Sequence, residues 1–277
     1  MMSEPVLSTN NLHERDKNIL FYETNHRYEI LTDKENRYTS VTTFIHSHFK
    51  KFDSAKVIKN MMSGKNWKEG HKYWGLTAYQ ISKQWSESGR KEAQAGTDLH
   101  FKIECFMNNN RLAPNYTHKD LYDDYLTNNP NYEETSEKEW QYFINFIKDT
   151  PTLKPYRTEW MVYHEDLKIS GSIDMLYENE NGSLSIYDWK RSKEISTINK
   201  WNEFAQTECI SEMPDSNYWH YALQLNMYKK ILENKYSKQI EDLVLIRLHP
   251  DAEEVNYELI RLPDLSEQLE RLLNNKK

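Results

Sequence analysis

Three charged side chains in one 17-residue stretch, Asp174, Asp188 and Lys190, stand where strand alternation calls for apolar residues. Tyr156 to Ser192 reads as three consecutive strands, Arg157 to His164, Lys168 to Glu178 and Ser183 to Lys190, rich in β-branched and aromatic residues and separated by polar turns. In the last of them Leu184, Ile186, Asp188 and Lys190 share parity, so the charged pair lies on the same face as the apolar pair and needs a partner. Asp174, in the run GSID, is the candidate. Asn181-Gly182 signals a hairpin, and the loop length decides which residues meet. A two-residue loop sets Asp174 opposite Trp189, whereas a three-residue loop centred on Asn181 sets it opposite Asp188. Only an odd loop, or a bulge restoring its parity, brings the carboxylates about 4.5–5.5 Å apart at Cβ, close enough to share a divalent cation.

GSID, followed after a hairpin by DWK (Asp188 to Lys190), resembles the PD-(D/E)XK nuclease superfamily. QLNMY at Gln224 to Tyr228 and AGTDLH ending at His100 are similar to the further motifs of its RecB-like branch. The first carboxylate follows Ile173 rather than proline, as is usual for that branch. The resemblance spans roughly residues 89–250. It implies an α/β (α+β) fold with an αβββαβ core, a mixed sheet flanked by helices. It also implies hydrolysis of phosphodiesters with one or two Mg²⁺ or Mn²⁺ ions held by His100, Asp174, Asp188 and the Trp189 carbonyl. Lys190 would orient the attacking water or offset charge on phosphorus, Gln224 and Tyr228 would steady the scissile phosphate, and Glu159 would support the metal shell. Motor-free members of the branch include mitochondrial genome maintenance and phage or viral recombination exonucleases. The expectation is therefore a DNA exonuclease of replication, repair or recombination, acting on single strands or free ends, with proteins of those processes as possible partners. An endonuclease on branched DNA would use the same site, and a binding module of this fold without turnover is a third reading.

The flanking elements must position these groups. Ser40 reads as a helix N-cap before Val41, Phe44 and Ile45, and residues 89–108 as a helix with Ala93, Gly96, His100 and Glu104 along one stripe. A short helical piece near Lys119 to Leu126 precedes a Ser136–Glu139 capping box. A polar connector over 191–214 precedes a long helix opening at Asp215 or Ser216. Strands at Asp242 to His249 and Val255 to Leu262, then a helix from Asp264 to Leu273, complete the chain. Residues 1–18 read as a loose tail, 19–88 as an N-terminal hairpin and basic helical arch, and 89–277 as the nuclease core.

Within 277 residues, 43 acidic against 36 basic side chains give a net charge of −7, so any polyanion must be met by local charge. Lys50 to Lys91 supplies it, with ten cationic side chains against Asp53, Glu69 and Glu87. Lys56, Lys65, Lys68 and Lys72, interleaved with Trp67 and Trp74, are the expected nucleic-acid contacts, since cations neutralise phosphates and rings stack on unpaired bases. A solvated helical hairpin with its tryptophans turned to a core is the competing reading. Two cysteines are too few for an iron–sulfur cluster, and no phosphate-binding G-x-x-x-x-G-K-[ST] loop occurs, so neither cluster, nucleotide nor motor is expected. Without a basic-then-apolar leader or a run of ~18 apolar residues, the expectation is a soluble intracellular protein.

Overall fold

The hairpin that carries Asp174 and Asp188 turns on three residues. In the computed structural model, which describes residues 5–129, 137–253 and 255–274, Asn179 N–H donates to the Ser183 carbonyl, and Gly182 N–H closes the turn on the Asn179 carbonyl. Gly182 adopts φ +81°, the left-handed conformation a glycine takes without steric cost. β5 (Ile169–Glu178) and β6 (Leu184–Lys190) therefore pair with Met175 opposite Tyr187 and Leu176 opposite Ile186, the odd-loop register. The next step in that register sets Asp174 against Asp188.

Two compact units make up the chain, residues 1–50 with 100–277, and residues 51–99. In the first, β4 (Lys154–His164) pairs antiparallel with β5, and β6 runs parallel to β7 (Ile240–Arg247), which pairs antiparallel with β8 (Glu258–Arg261). The crossover from β6 to β7 is α7 (Asn217–Lys235). With α4 (Ala78–Met107) before the strands, the order is the expected αβββαβ, a mixed sheet flanked by helices. Against one face, Leu223, Leu225, Met227 and Tyr228 of α7 bury Ile173, Leu176, Leu184 and Ile186 in a single apolar cluster. Against the other, Phe143 and Phe146 of α6 (Lys138–Asp149) meet Trp189 at ring distances of 5.6 and 5.8 Å. Each fully buried side chain of this size contributes roughly 1.5–3 kcal/mol. Asp188 thus lies on the α7 face with Leu184 and Ile186, as parity requires. Ser136, expected to cap α6, lies outside the described residues.

Several boundaries move. The helix expected over 89–108 begins at Ala78, and α5 runs His118–Asn128. Ser40 does cap α2 (Val41–His46), accepting from Thr43 N–H at 3.1 Å. Thr39 and Ser40 also form β3, a two-residue strand parallel to β5 at Ile169 and Ser170 that has no periodicity to read. Residues 5–18 are packed rather than loose. α1 (Val6–Asn10) buries Leu7, and Asp16 accepts from Arg157 at 2.6 Å and Trp160 Nε1 at 2.8 Å. A polar segment can be tied down by buried polar partners as firmly as by apolar ones.

The second unit comprises α3 (Ser54–Ser63), the loop 64–77 and the opening turns of α4. Ile58 and Ile81 form its small buried core. Lys56, Lys65, Lys68 and Lys72 are exposed, as is Trp74 at 48%, while Trp67 is half-buried, with its ring 5.8 Å from that of Trp74. The tryptophans are not taken into the core, so rings and cations share the surface of this unit. Among the described residues no helix is long and apolar enough to cross a membrane.

Candidate metal centre

The site forms where β6 parts from β5 while β4 stays paired with it. Thr158 opposes Met175 and Trp160 opposes Ile173, so Glu159 lies across from Asp174 on the β4 side, while on the β6 side Asp188 follows Tyr187, the last residue paired with β5. Three carboxylates therefore occupy one row across β4, β5 and β6, an arrangement that like charges disfavour. Glu159 reaches it with φ +43°, a left-handed backbone in mid-strand that costs about 1–3 kcal/mol and tends to persist at functional sites. Beyond Met175, pairing between β5 and β6 ceases. Trp189 N–H instead donates to Asp174 Oδ2 at 3.1 Å, a side chain taking the place of a ladder carbonyl.

His100, on α4, completes the cluster. Its Nε2 lies 3.0 Å from the Trp189 carbonyl, and a hydrogen bond there makes Nε2 the protonated nitrogen. The bare Nδ1 then faces Asp174 Oδ2 at 3.5 Å and Glu159 Oε1 at 4.0 Å. Ligand atoms of His100, Glu159 and Asp174 all lie within 4.8 Å of one another. An imidazole lone pair and two carboxylates converging on one point are all acceptors, so the donor set fits a cation.

The sequence-expected groups are distributed unevenly around this point. Glu159, expected only as support, is one of the three converging groups. Asp188, expected as a ligand, is 2% exposed and paired at 2.5 Å with Lys190 Nζ. The Trp189 carbonyl, likewise expected as a ligand, faces the imidazole. Gln224 and Tyr228 stand one turn apart on α7, and the Tyr228 ring lies against Gly171 of β5. Tyr221, one turn before Gln224, was missed; Lys190 Nζ stands 4.6 Å from its ring centroid. Spacing carried the signal, since 221, 224 and 228 share a helix face. Lys56, Lys65, Trp67, Lys68, Lys72 and Trp74 belong to the second unit.

Electrostatics bears out the crowding. Burial, then the charge of Asp174, pushes the Glu159 carboxyl up to about 8. Burial also raises Asp188, to about 6; Lys190 opposes this and Asp174 adds to it. Burial works against the Lys190 charge, yet Asp188 and Asp174 outweigh it and hold the ammonium well above its ordinary range. A cation must displace protons from carboxyls held this high. Divalent-ion affinity should therefore rise with pH from 6 to above 8, by up to about tenfold per unit, with proton release on binding. Calorimetric titration with Mn²⁺ in buffers of different ionisation enthalpy measures both, and a pH-independent affinity with no proton release would contradict the assignment.

The chain matches no family model and no curated protein. Among solved structures it is similar to that of a "putative exonuclease" from Eubacterium rectale, 15% identical, covering 60% of this chain and 67% of the other, with a TM-score of 0.32.

Proposed function

We propose that the protein is a divalent-cation-dependent DNA nuclease, an exonuclease acting on single strands or DNA ends in replication, repair or recombination. The observation that carries this reading is the row of Glu159, Asp174 and Asp188 across three strands, closed by His100 and Lys190. His100, Glu159 and Asp174 would hold the ion, with the buried charge of Asp188 beside them. Bound there, Mg²⁺ or Mn²⁺ would polarise a phosphoryl oxygen and acidify a water.

The remaining work belongs to the chain's own groups. Lys190, kept fully protonated by Asp188, supplies a positive charge aimed at the charge that develops on phosphorus. Tyr221 confines its ammonium from one side, and Asp188 fixes it from the other. Tyr228, with Gln224 one turn before it, packs on β5 at Gly171, three residues from Asp174. The exposed cations and rings of the second unit are proposed to bind single-stranded DNA by phosphate neutralisation and stacking.

The test uses end-labelled linear and closed circular single-stranded DNA with Mg²⁺, Mn²⁺ or EDTA. Cleavage of the linear form alone, only with metal, and its loss in Lys190→Met is the expected result. Cutting of circles would replace the exonuclease reading with an endonuclease one. Cleavage of neither form would end the nuclease reading.

A further inference from the structure

The N-terminal hairpin is unexplained by any of this. β1 (Ile19–Tyr22) and β2 (Arg27–Ile30) form a separate two-stranded sheet in the first unit, with Ile19 opposite Ile30 and Phe21 opposite Tyr28. Strand alternation puts these four on one face. Ile19 and Ile30, 2% and 1% exposed, anchor its base in the apolar cluster that holds Ile173 and Tyr228, and Tyr28 packs against that cluster. One step outward the Phe21 and Tyr28 rings lie 4.7 Å apart, and His26, turned by a left-handed φ of +47°, continues the row 6.0 Å from Phe21. Phe21 keeps 36% of its surface open.

The inner end of this row, Tyr28, packs on the apolar cluster that holds Ile173, the residue before Asp174, and Tyr228. After burial, the charges of Glu159 and Asp174 push the Tyr28 phenol up to about 12, and Tyr228 feels Tyr28 in turn. A two-stranded hairpin is marginal by itself, and an aromatic face that leaves the core and runs outward from three carboxylates has no packing reason to stay aromatic. Rings with open faces next to a phosphate-cutting site suit a planar, apolar partner joined to that phosphate, which is an unpaired nucleobase.

We propose that the β1–β2 hairpin is a base-stacking finger: Phe21, backed by Tyr28 and flanked by His26, receives the unpaired base of the nucleotide next to the scissile phosphate. This rests on the nuclease reading and adds to it a requirement for a base, not only a backbone, at the cleavage site. A duplex keeps its bases stacked on one another, so the finger selects single-stranded or frayed ends.

The test compares single-stranded oligonucleotides carrying either a normal nucleotide or an abasic tetrahydrofuran next to the cleaved bond. The parent should cut the abasic substrate about five- to tenfold more slowly. Phe21→Ala should lose that discrimination and Phe21→Trp keep it, while Leu20→Ser, on the opposite face of the hairpin, should behave as the parent. In Ca²⁺, 2-aminopurine at the same position should be quenched by the parent and not by Phe21→Ala. A parent that cuts both substrates equally, or a Phe21→Ala protein that still discriminates, overturns the finger while leaving the nuclease reading intact. A parent that cleaves nothing overturns both.

Discussion

Asp174→Asn is expected to abolish cation-dependent cleavage, lowering kcat by about a thousandfold or more, and yet to make the metal-free protein more stable. Asparagine retains an oxygen that can accept from Trp189 N–H, so the hairpin keeps the contact that Asp174 Oδ2 makes at 3.1 Å. It removes the central charge from the row Glu159, Asp174, Asp188, and with it the repulsion that raises both neighbours. At pH 9, where Glu159 is ionised, relief of two like-charge contacts, less the attraction that Asp174 exerts on Lys190, is worth on the order of 1 kcal/mol, and the comparison is made at that pH. A divalent ion stabilises only a protein that binds it, so Mg²⁺ or Mn²⁺ should raise the melting temperature of the parent and leave that of the variant where it was. The ranking of the two proteins then inverts between EDTA and metal. A purely structural carboxylate gives another pattern, in which the asparagine variant is the less stable protein in EDTA and in metal alike. Thermal unfolding of the two proteins with and without metal, beside a cleavage assay, separates the cases. Loss of activity with no inversion would remove Asp174 from the metal.

Much of this site follows from local rules. The three-residue turn was legible because Asn181-Gly182 fixes where the chain reverses and because only odd parity spares Asp188 and Asp174 from opposite faces. Gln224 and Tyr228 were legible because four-residue spacing on a long helix allows no other common face. Glu159 was understated for an equally physical reason. A regular strand gives no sign that one residue will take φ +43°, and that single torsion turns an ordinary polar position toward Asp174. The contact of the Trp189 carbonyl with an imidazole arises between elements far apart in sequence: His100 meets it across 89 residues, where β6 leaves β5. The tie of Asp16 to Arg157 and Trp160 is of the same kind. Periodicity reports which face of an element is buried, and polar contacts between distant elements leave no period.

Gly171→Ala is expected to destabilise the protein by about 1–3 kcal/mol and to cost activity beyond that loss. Gly171 needs no unusual torsion; its reason is space. A Cβ built there would stand 2.8 Å from both Cε1 and the hydroxyl oxygen of Tyr228 and 3.2 Å from Cζ, and both partners are buried, so one of them must move. Overpacking of this kind costs typically 1–3 kcal/mol, offset by at most about 1 kcal/mol from the stiffer unfolded chain. Displacement of Tyr228 also disturbs the stretch of β5 from Gly171 to Asp174. Tyr228→Phe retains the carbons of the clash and should not rescue Gly171→Ala. Tyr228→Ala by itself should lose about 3–5 kcal/mol by opening a cavity, and adding Gly171→Ala to it should cost nothing further, because the new methyl enters space the ring has left. Urea unfolding of the four proteins closes the cycle. Additive losses would mean that the glycine and the tyrosine are not in contact, and the placement of α7 against the catalytic strand would have to be redrawn.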